Sequence, residues 1–138
     1  MPFDVALARV APNVPPQPDC VLNTQPRKRV TGWQPRSTLE LPHQVECLLP
    51  ASGAIIANIQ SFLGSVRVQY RLGEIEVGNA YLIDVPVQPG DSGGVLYSGQ
   101  TIVGMVFARS ESSFGWCHLV SESIGHINAS SNLAIRPF

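Results

Sequence analysis

A serine flanked by glycines is the first candidate for chemistry, in the segment PGDSGG at residues 89–94. The segment leads directly into the apolar residues 95–97, so it presents Ser92 on a tight turn at the start of a strand. Glycine accepts positive φ angles and lets backbone N–H groups near Ser92 point at a developing oxyanion. The pattern therefore makes Ser92 a candidate nucleophile. The alternative is a glycine-rich β-turn, where Asp and Ser are common because they bond to nearby backbone groups.

Composition limits the kind of protein that carries this turn. The chain has 138 residues, of which 44% are hydrophobic and 14% charged, and that length is typical of one ordered domain. The net charge is −1, so no broad positive field attracts a nucleic acid or an anionic membrane. The longest apolar stretch, residues 54–59, is far too short to cross a bilayer. We expect neither nucleic acid nor membrane as a partner.

The termini and the cysteines add little to this. Residues 1–4 carry an acid where a secretory signal carries Lys or Arg, so no signal peptide is expected and the localisation stays unknown. Cys20, Cys47 and Cys117 are too few and too scattered for a disulfide framework or a four-ligand zinc site. Free thiols, no metal and no cofactor are the expectation.

Glycine and proline, 12 of each, divide the chain into short pieces that favour strands over helices. Residues 66–71 alternate between apolar and polar, as in a half-solvated strand. The single predicted helix covers residues 122–129, with Ser121 as its cap and Ile124 and Ile127 on one face. The predicted strands are residues 4–10, 28–33, 44–49, 66–72, 80–85, 94–97, 101–107 and 116–120.

These elements predict an all-β barrel or sandwich with a distinct amino-terminal region. Residues 11–27 contain five prolines and almost no apolar periodicity, which is typical of an extended surface connector. We therefore divide the chain into a strand within residues 1–10, a connector at 11–27 and the main domain at 28–138.

The motif GDSGG at residues 90–94 resembles the nucleophile motif of the trypsin/chymotrypsin-like serine proteases. Residues 4–7 (DVAL) resemble the family's strand that begins with the triad aspartate, and residues 30–33 (VTGW) its Gly-Trp strand. Residues 104–107 and 114–116 resemble the two strands beside the primary specificity pocket. The resemblance covers the whole chain but only the carboxy-terminal half of the family's sequence.

This resemblance implies a six-stranded antiparallel Greek-key barrel, the second barrel of a trypsin-like fold, followed by a short helix. Residues 1–10 would be a remnant strand of the first barrel. The family's mechanism carries over residue by residue. Ser92 becomes the nucleophile, Asp4 the carboxylate that orients the histidine, and the N–H groups of Gly90 and Ser92 the oxyanion hole, with Asp91 and Gly93 supporting it.

The resemblance also implies that Asp91 is a buried acid beside the oxyanion hole. In many family members this acid pairs with an amino terminus. Here the basic run at residues 27–29 (RKR) is a loose candidate partner, and its alternative role is to open a hairpin beside solvent.

The general base departs from the family pattern. The family's histidine precedes the aspartate, and only Met1, Pro2 and Phe3 precede Asp4 in this sequence. His43, His118 and His126 match no family motif, so we expect ordinary roles for them in a loop, a strand and a helix. A serine without a base is a poor nucleophile, and an upstream segment supplying the first barrel and the histidine is a possible partner.

The resemblance assigns six residues to substrate binding. Pro86 stands at the base of the primary pocket, where an aspartate would select Arg or Lys, so a basic preference is not expected. Arg109 stands at the mouth, where it narrows the entrance, pairs with an acidic substrate or turns into solvent. A small-apolar or acidic preference follows. The six residues are Pro86, Val87, Phe107, Ala108, Arg109 and Gly115.

Three functions remain open at this stage. The first is a serine endopeptidase that cleaves peptides or proteins through an acyl-enzyme and, as this chain alone, is inactive without the histidine. The second is a non-catalytic, protease-like barrel that acts as a binding module. The third is a plain β-barrel in which the GDSGG turn arose by chance.

Overall fold

The computed structural model describes residues 3–6, 9, 11–14, 21–22 and 28–135. Strands, one short 3-10 turn at Arg36–Thr38 and one helix make up this part of the chain. The strands are β1 (Val21–Leu22), β2 (Lys28–Arg29), β3 (Gly32–Trp33), β4 (His43–Leu49), β5 (Gly53–Tyr70), β6 (Gly73–Pro86), β7 (Val95–Ser98), β8 (Thr101–Arg109) and β9 (Phe114–Leu119), and the helix is α1 (Val120–Ser130).

Six strands close an antiparallel barrel in the order β8-β7-β4-β5-β6-β9, with β9 pairing back onto β8. The short strand β3 lies outside the barrel and pairs in parallel with the start of β8. This confirms the predicted all-β class, the six-stranded barrel and the carboxy-terminal helix. No helix in the described part of the chain has the length and apolar character needed to cross a membrane.

The barrel core is built from alternate residues of its strands. In β4 the side chains of Val45, Cys47 and Leu49 are buried while their neighbours are partly or fully exposed. A strand places successive side chains on opposite faces, so this period of two directs one face of β4 inward. Burial of each large aliphatic side chain stabilises the fold by about 1.5–3 kcal/mol.

The hairpin β5–β6 is longer than the sequence pattern predicted, and it extends past the barrel. Its outer half buries Val66, Val68 and Tyr70 against Phe107 and a neighbouring tryptophan of the barrel wall. The tip carries Leu72, which is 98% exposed. The first half of β5 was not predicted because its apolar residues do not alternate with polar ones.

The amino-terminal region differs from the prediction. Residues 3–6 and 9 form no strand, so the predicted strand at residues 4–10 is wrong for the described residues, and residues 7, 8 and 10 lie outside them. The connector contains β1, which pairs with β2. The predicted strand at residues 28–33 is divided into β2 and β3, because β2 pairs with β1 whereas β3 pairs with β8.

The helix α1 begins earlier than predicted. Leu119 is its cap residue and Ser121 lies inside the first turn, so the predicted Ser121 cap is wrong. The Ser121 hydroxyl has no partner among the described residues. A tertiary contact fixes this end of the helix instead, because the buried Tyr81 hydroxyl donates to the Glu122 carboxylate and accepts from the Arg36 guanidinium.

Candidate active site

The turn that carries Ser92 joins β6 to β7, and glycine is required on both sides of it. Gly90 has a φ of +98°, a conformation that residues with a Cβ atom rarely adopt. A Cβ atom on Gly94 would lie 2.6 Å from Leu49 Cδ2 and 2.9 Å from the Asp91 carbonyl oxygen. The turn can therefore pack against β4 only when this position lacks a side chain.

The backbone N–H groups of this turn divide into two sets. Those of Asp91, Gly93 and Gly94 donate to carbonyls of Gln88, Val106 and Asp91, at 3.1, 2.8 and 2.9 Å. Those of Gly90 and Ser92 donate to no acceptor within the described part of the chain. Gly90 and Ser92 are also exposed. Two unpaired donors therefore flank the Ser92 side chain, and they are the pair that the sequence resemblance assigned to an oxyanion hole.

Asp91 is fully buried, and hydrogen bonds hold its carboxylate. Oδ1 accepts the N–H groups of Ala51 and Ser52, both at 2.9 Å, and Oδ2 accepts the Ser52 hydroxyl and the Gln88 N–H. Burial alone raises the pKa of Asp91, but these bonds lower it below the ordinary value. Its partners among the described residues therefore include the β4–β5 turn and Gln88; of the loose candidates at residues 27–29, residue 27 and the side chain of residue 28 lie outside what the structure describes.

The Ser92 hydroxyl donates to the carbonyl oxygen of Phe107, at 3.0 Å. None of the three histidines bonds to Ser92. His43 begins β4 rather than lying in a loop, and His126 lies exposed on α1. In the described residues the Ser92 hydroxyl therefore contacts a backbone carbonyl rather than an imidazole.

Sequence reasoning gave His118 no special role, but the structure places this residue, on β9, against Asp4. It is 3% exposed, and its Nε2 accepts the backbone N–H of Asp4 at 3.0 Å. Its ring stacks on that of Phe107, with centroids 4.1 Å apart and planes at 10°. The Tyr70 hydroxyl donates to the Asp4 carboxylate. Asp4 and Ser92 are thereby linked through His118 and Phe107, although no contact joins them directly.

A cleft of about 870 Å³ opens between the outer half of the hairpin and the Ser92 turn. It includes Ser92, Gly90 and four of the six positions predicted to bind substrate, namely Val87, Phe107, Ala108 and Arg109. The residues that line it are 67–70, 74, 87–92, 106–111, 113 and 116.

The other two predicted positions are not among the residues that line this cleft. Pro86 is exposed and pairs with Phe114 at the edge of the barrel, and Gly115 is buried. A Cβ atom on Gly115 would lie 2.6 Å from Ile83 Cδ1 and 2.9 Å from Val87 Cγ1. The space that a side chain at position 115 would take is therefore filled by Ile83 and Val87.

The charged groups at the cleft rim are exposed. Arg67 and Glu74 face each other across the hairpin at 3.5 Å. A pair with such exposed side chains contributes at most about 1 kcal/mol to stability. Arg109 stands at the opposite rim, at the end of β8, and forms no ion pair with any residue the structure describes.

Comparison with known proteins adds evidence on the fold. No family model and no curated protein sequence matches this chain. Solved structures do match it. A chymotrypsin from Cellulomonas bogoriensis is 22% identical with a TM-score of 0.58, covering 81% of this chain and 56% of that one. A glutamic acid specific serine protease that uses a histidine triad in substrate binding is 16% identical with a TM-score of 0.63, covering 87% and 63%.

Protease A of Thermobifida fusca is 20% identical with a TM-score of 0.57, covering 74% of this chain and 53% of that one. The chain thus spans 53–63% of the length of these three proteases. At this level of identity the comparison establishes the fold alone: the barrel and helix have the same fold as the matched part of these proteases.

Proposed function

We propose that this chain is the carboxy-terminal barrel of a serine endopeptidase, with Ser92 as the nucleophile. The observation that carries the proposal is the pair of unpaired N–H donors on Gly90 and Ser92, beside an exposed serine hydroxyl. Such donors stabilise the negative oxygen of a tetrahedral intermediate. Removal of one donor often raises the activation free energy by about 3 kcal/mol. The N–H groups at the centre of a β-turn are commonly left to water, so the proposal depends on the position of these two beside the Ser92 hydroxyl.

Asp91 supports this role by fixing the turn. Its four accepted hydrogen bonds tie residues 88–91 to the β4–β5 turn, so the two donors need no rearrangement when a substrate arrives. Preorganised donors of this kind are the main source of electrostatic stabilisation in acyl transfer. Asp4 is proposed as the carboxylate that orients the histidine.

The proposed enzyme takes its general base from residues outside these 138, in a segment that also supplies the first barrel. With such a base the Ser92 hydroxyl exchanges its bond to the Phe107 carbonyl for one to an imidazole nitrogen. That same bond favours the second candidate function, a non-catalytic binding barrel, because it leaves Ser92 without activation in the described structure.

Labelling with a fluorophosphonate probe distinguishes the two functions. The chain alone should label slowly at Ser92, and free imidazole, added as a soluble base, should accelerate the labelling. Ser92→Ala removes the signal. Ser112→Ala is the matched control, because Ser112 is an exposed serine in the loop after β8 and bonds only to Ser110.

Labelling that is no faster in the folded chain than in the denatured one, with or without imidazole, would reject the endopeptidase and leave the binding barrel. Rapid labelling without imidazole would instead show that one of this chain's own histidines acts as the base.

For the enzyme we further propose a small-apolar or acidic preference. Pro86 supplies no carboxylate, Ile83 and Val87 fill the space beside Gly115, and Arg109 stands at the rim as a cation. Peptide phosphonates with Ala, Glu or Lys next to the reactive group test this in the presence of imidazole. A preference for Lys would overturn it.

A further inference from the structure

We propose that His118 is a positioning residue for Asp4, and that it holds the Asp4 backbone only while its imidazole is neutral. The assignment of a role to Asp4 in catalysis rests on the proposed function. The anchoring itself does not, because it follows from the contacts of His118 alone.

The contacts of the His118 ring define its tautomer. The Asp4 N–H is a donor, so Nε2 must carry a lone pair. Nδ1 lies 3.1 Å from the Asn79 carbonyl oxygen, which is an acceptor, so Nδ1 must carry the proton. Both nitrogens are used, and the ring is neutral.

The Asn79 carbonyl is free to accept this bond because it lies in an irregularity of β6. The β5–β6 register passes from Val77 opposite Val66 to Ala80 opposite Gly64, so Asn79 has no direct partner on β5. Its φ is +52°, a left-handed conformation that asparagine tolerates better than most residues. The bulge and the histidine therefore satisfy each other.

The rest of the surroundings fix the ring in place. On the barrel side it stacks on Phe107, and on the outer side Phe3 packs against it with centroids 5.0 Å apart. Phe3 also contacts His126 of α1, at 4.7 Å. The described part of the amino-terminal segment is thus held by one buried acceptor, the Tyr70 hydroxyl and two ring contacts.

Protonation would put a proton on Nε2, opposite the Asp4 N–H, and two donors cannot bond to each other. Burial lowers the pKa of His118, and this outweighs three factors that raise it: the bond to the Asn79 carbonyl and the negative charges of Asp4 and Glu122. The other titratable groups nearby are His126, which contacts Phe3, and Tyr70, which bonds to the Asp4 carboxylate. The anchoring should therefore persist at neutral pH and be lost on acidification.

Nuclear magnetic resonance of the ¹⁵N-labelled chain tests this directly. The ¹⁵N shifts of His118 report its tautomer and titration midpoint, and hydrogen exchange reports the protection of the Asp4 amide. One pH unit below that midpoint only about a tenth of the imidazole is neutral, so nearly all the protection of the Asp4 amide, corrected for intrinsic exchange, should be lost. The buried amide of Leu96 serves as the reference, since it should keep its protection while the barrel remains folded.

Two variants separate His118 from its neighbour. His118→Gln places a carbonyl oxygen near the Asp4 N–H and does not titrate, so protection should become independent of pH. His126→Gln removes the other histidine in contact with Phe3 and should leave the wild-type pH response intact.

A proton on Nε2 at neutral pH, protection of Asp4 that does not change with pH, or a response abolished by His126→Gln would each overturn the proposal. If His118→Gln fails to fold, the tautomer and titration of the wild-type chain still decide the question. Neither readout involves Ser92, so failure of the endopeptidase proposal and failure of this one are distinguishable.

Discussion

Replacing Asp91 by asparagine tests whether its carboxylate fixes the Ser92 turn. Asparagine keeps one oxygen, which can still accept the N–H groups of Ala51 and Ser52. The amide nitrogen then takes the place of Oδ2, where the Ser52 hydroxyl can rotate to accept from it. The backbone N–H of Gln88, 2.9 Å from Oδ2, cannot reverse and is left facing another donor.

The magnitude follows from this one mismatch. A hydrogen bond to a charged group contributes about 1.5–3 kcal/mol, and an unsatisfied donor costs about 1–3 kcal/mol where water does not reach it. Both terms describe the same Gln88 N–H, and Gln88 is exposed to water, so they do not add in full. We therefore expect the free energy of unfolding to fall by about 2–3 kcal/mol.

Asp84→Asn is a matched control. The Asp84 carboxylate accepts three hydrogen bonds, one from the Asn58 N–H and two from the side-chain amides of Asn58 and Gln60. Those amides can turn over to present an oxygen to the new NH₂ group, and Asp84 is only half-buried. We therefore expect a loss below about 1 kcal/mol at this position.

Urea unfolding followed by circular dichroism measures both changes, provided that the slope with denaturant stays constant. The pKa of Asp91 is lowered in the fold, so its contribution is present above the ordinary carboxyl pKa and is lost as the pH falls below it. The difference between wild type and Asp91→Asn should shrink accordingly in acid. A loss at Asp91 no larger than that at Asp84 would refute the reasoning.

Three further outcomes are expected. Gly94→Ala should destabilise the chain by about 1–3 kcal/mol through overpacking. Gly125→Ala, in helix α1 with open space around it, should stabilise the chain by up to about 1 kcal/mol. A urea midpoint for Gly94→Ala at or above that for Gly125→Ala would contradict this. Burial raises the pKa of the Cys47 thiol to about 12 and raises that of Cys117 further. In a Cys20→Ser variant, Ellman's reagent at mildly alkaline pH should therefore react only after denaturation. Burial, and then the hydrogen bond to the Glu122 carboxylate, raises the pKa of Tyr81 to about 12. The free energy of unfolding should therefore fall as the pH rises from 10 to 12, and Tyr81→Phe should lose this dependence. A fall that persists in the variant would point to another group.

The amino-acid sequence by itself predicted part or all of each barrel strand and the Ser92 turn, because both depend on local chemistry. The alternation of apolar and polar side chains determines which face of β4 is buried, and any fold with a buried core on one side of the strand gives this pattern. The GDSGG segment likewise requires glycine conformations that hold wherever the turn is placed.

Tertiary structure decided which groups satisfy the polar atoms of the site. The partners of Asp91 include Ser52, 39 residues earlier in the chain, and the acceptor for the Asp4 N–H is His118, 114 residues later. Neither pairing has a local signature, because a buried acceptor is satisfied by whichever donor the barrel brings within about 3 Å of it. The packing of Gly115 against Ile83 and Val87 was likewise decided by tertiary structure. Packing across strands depends on the register and closure of the barrel rather than on neighbours in sequence.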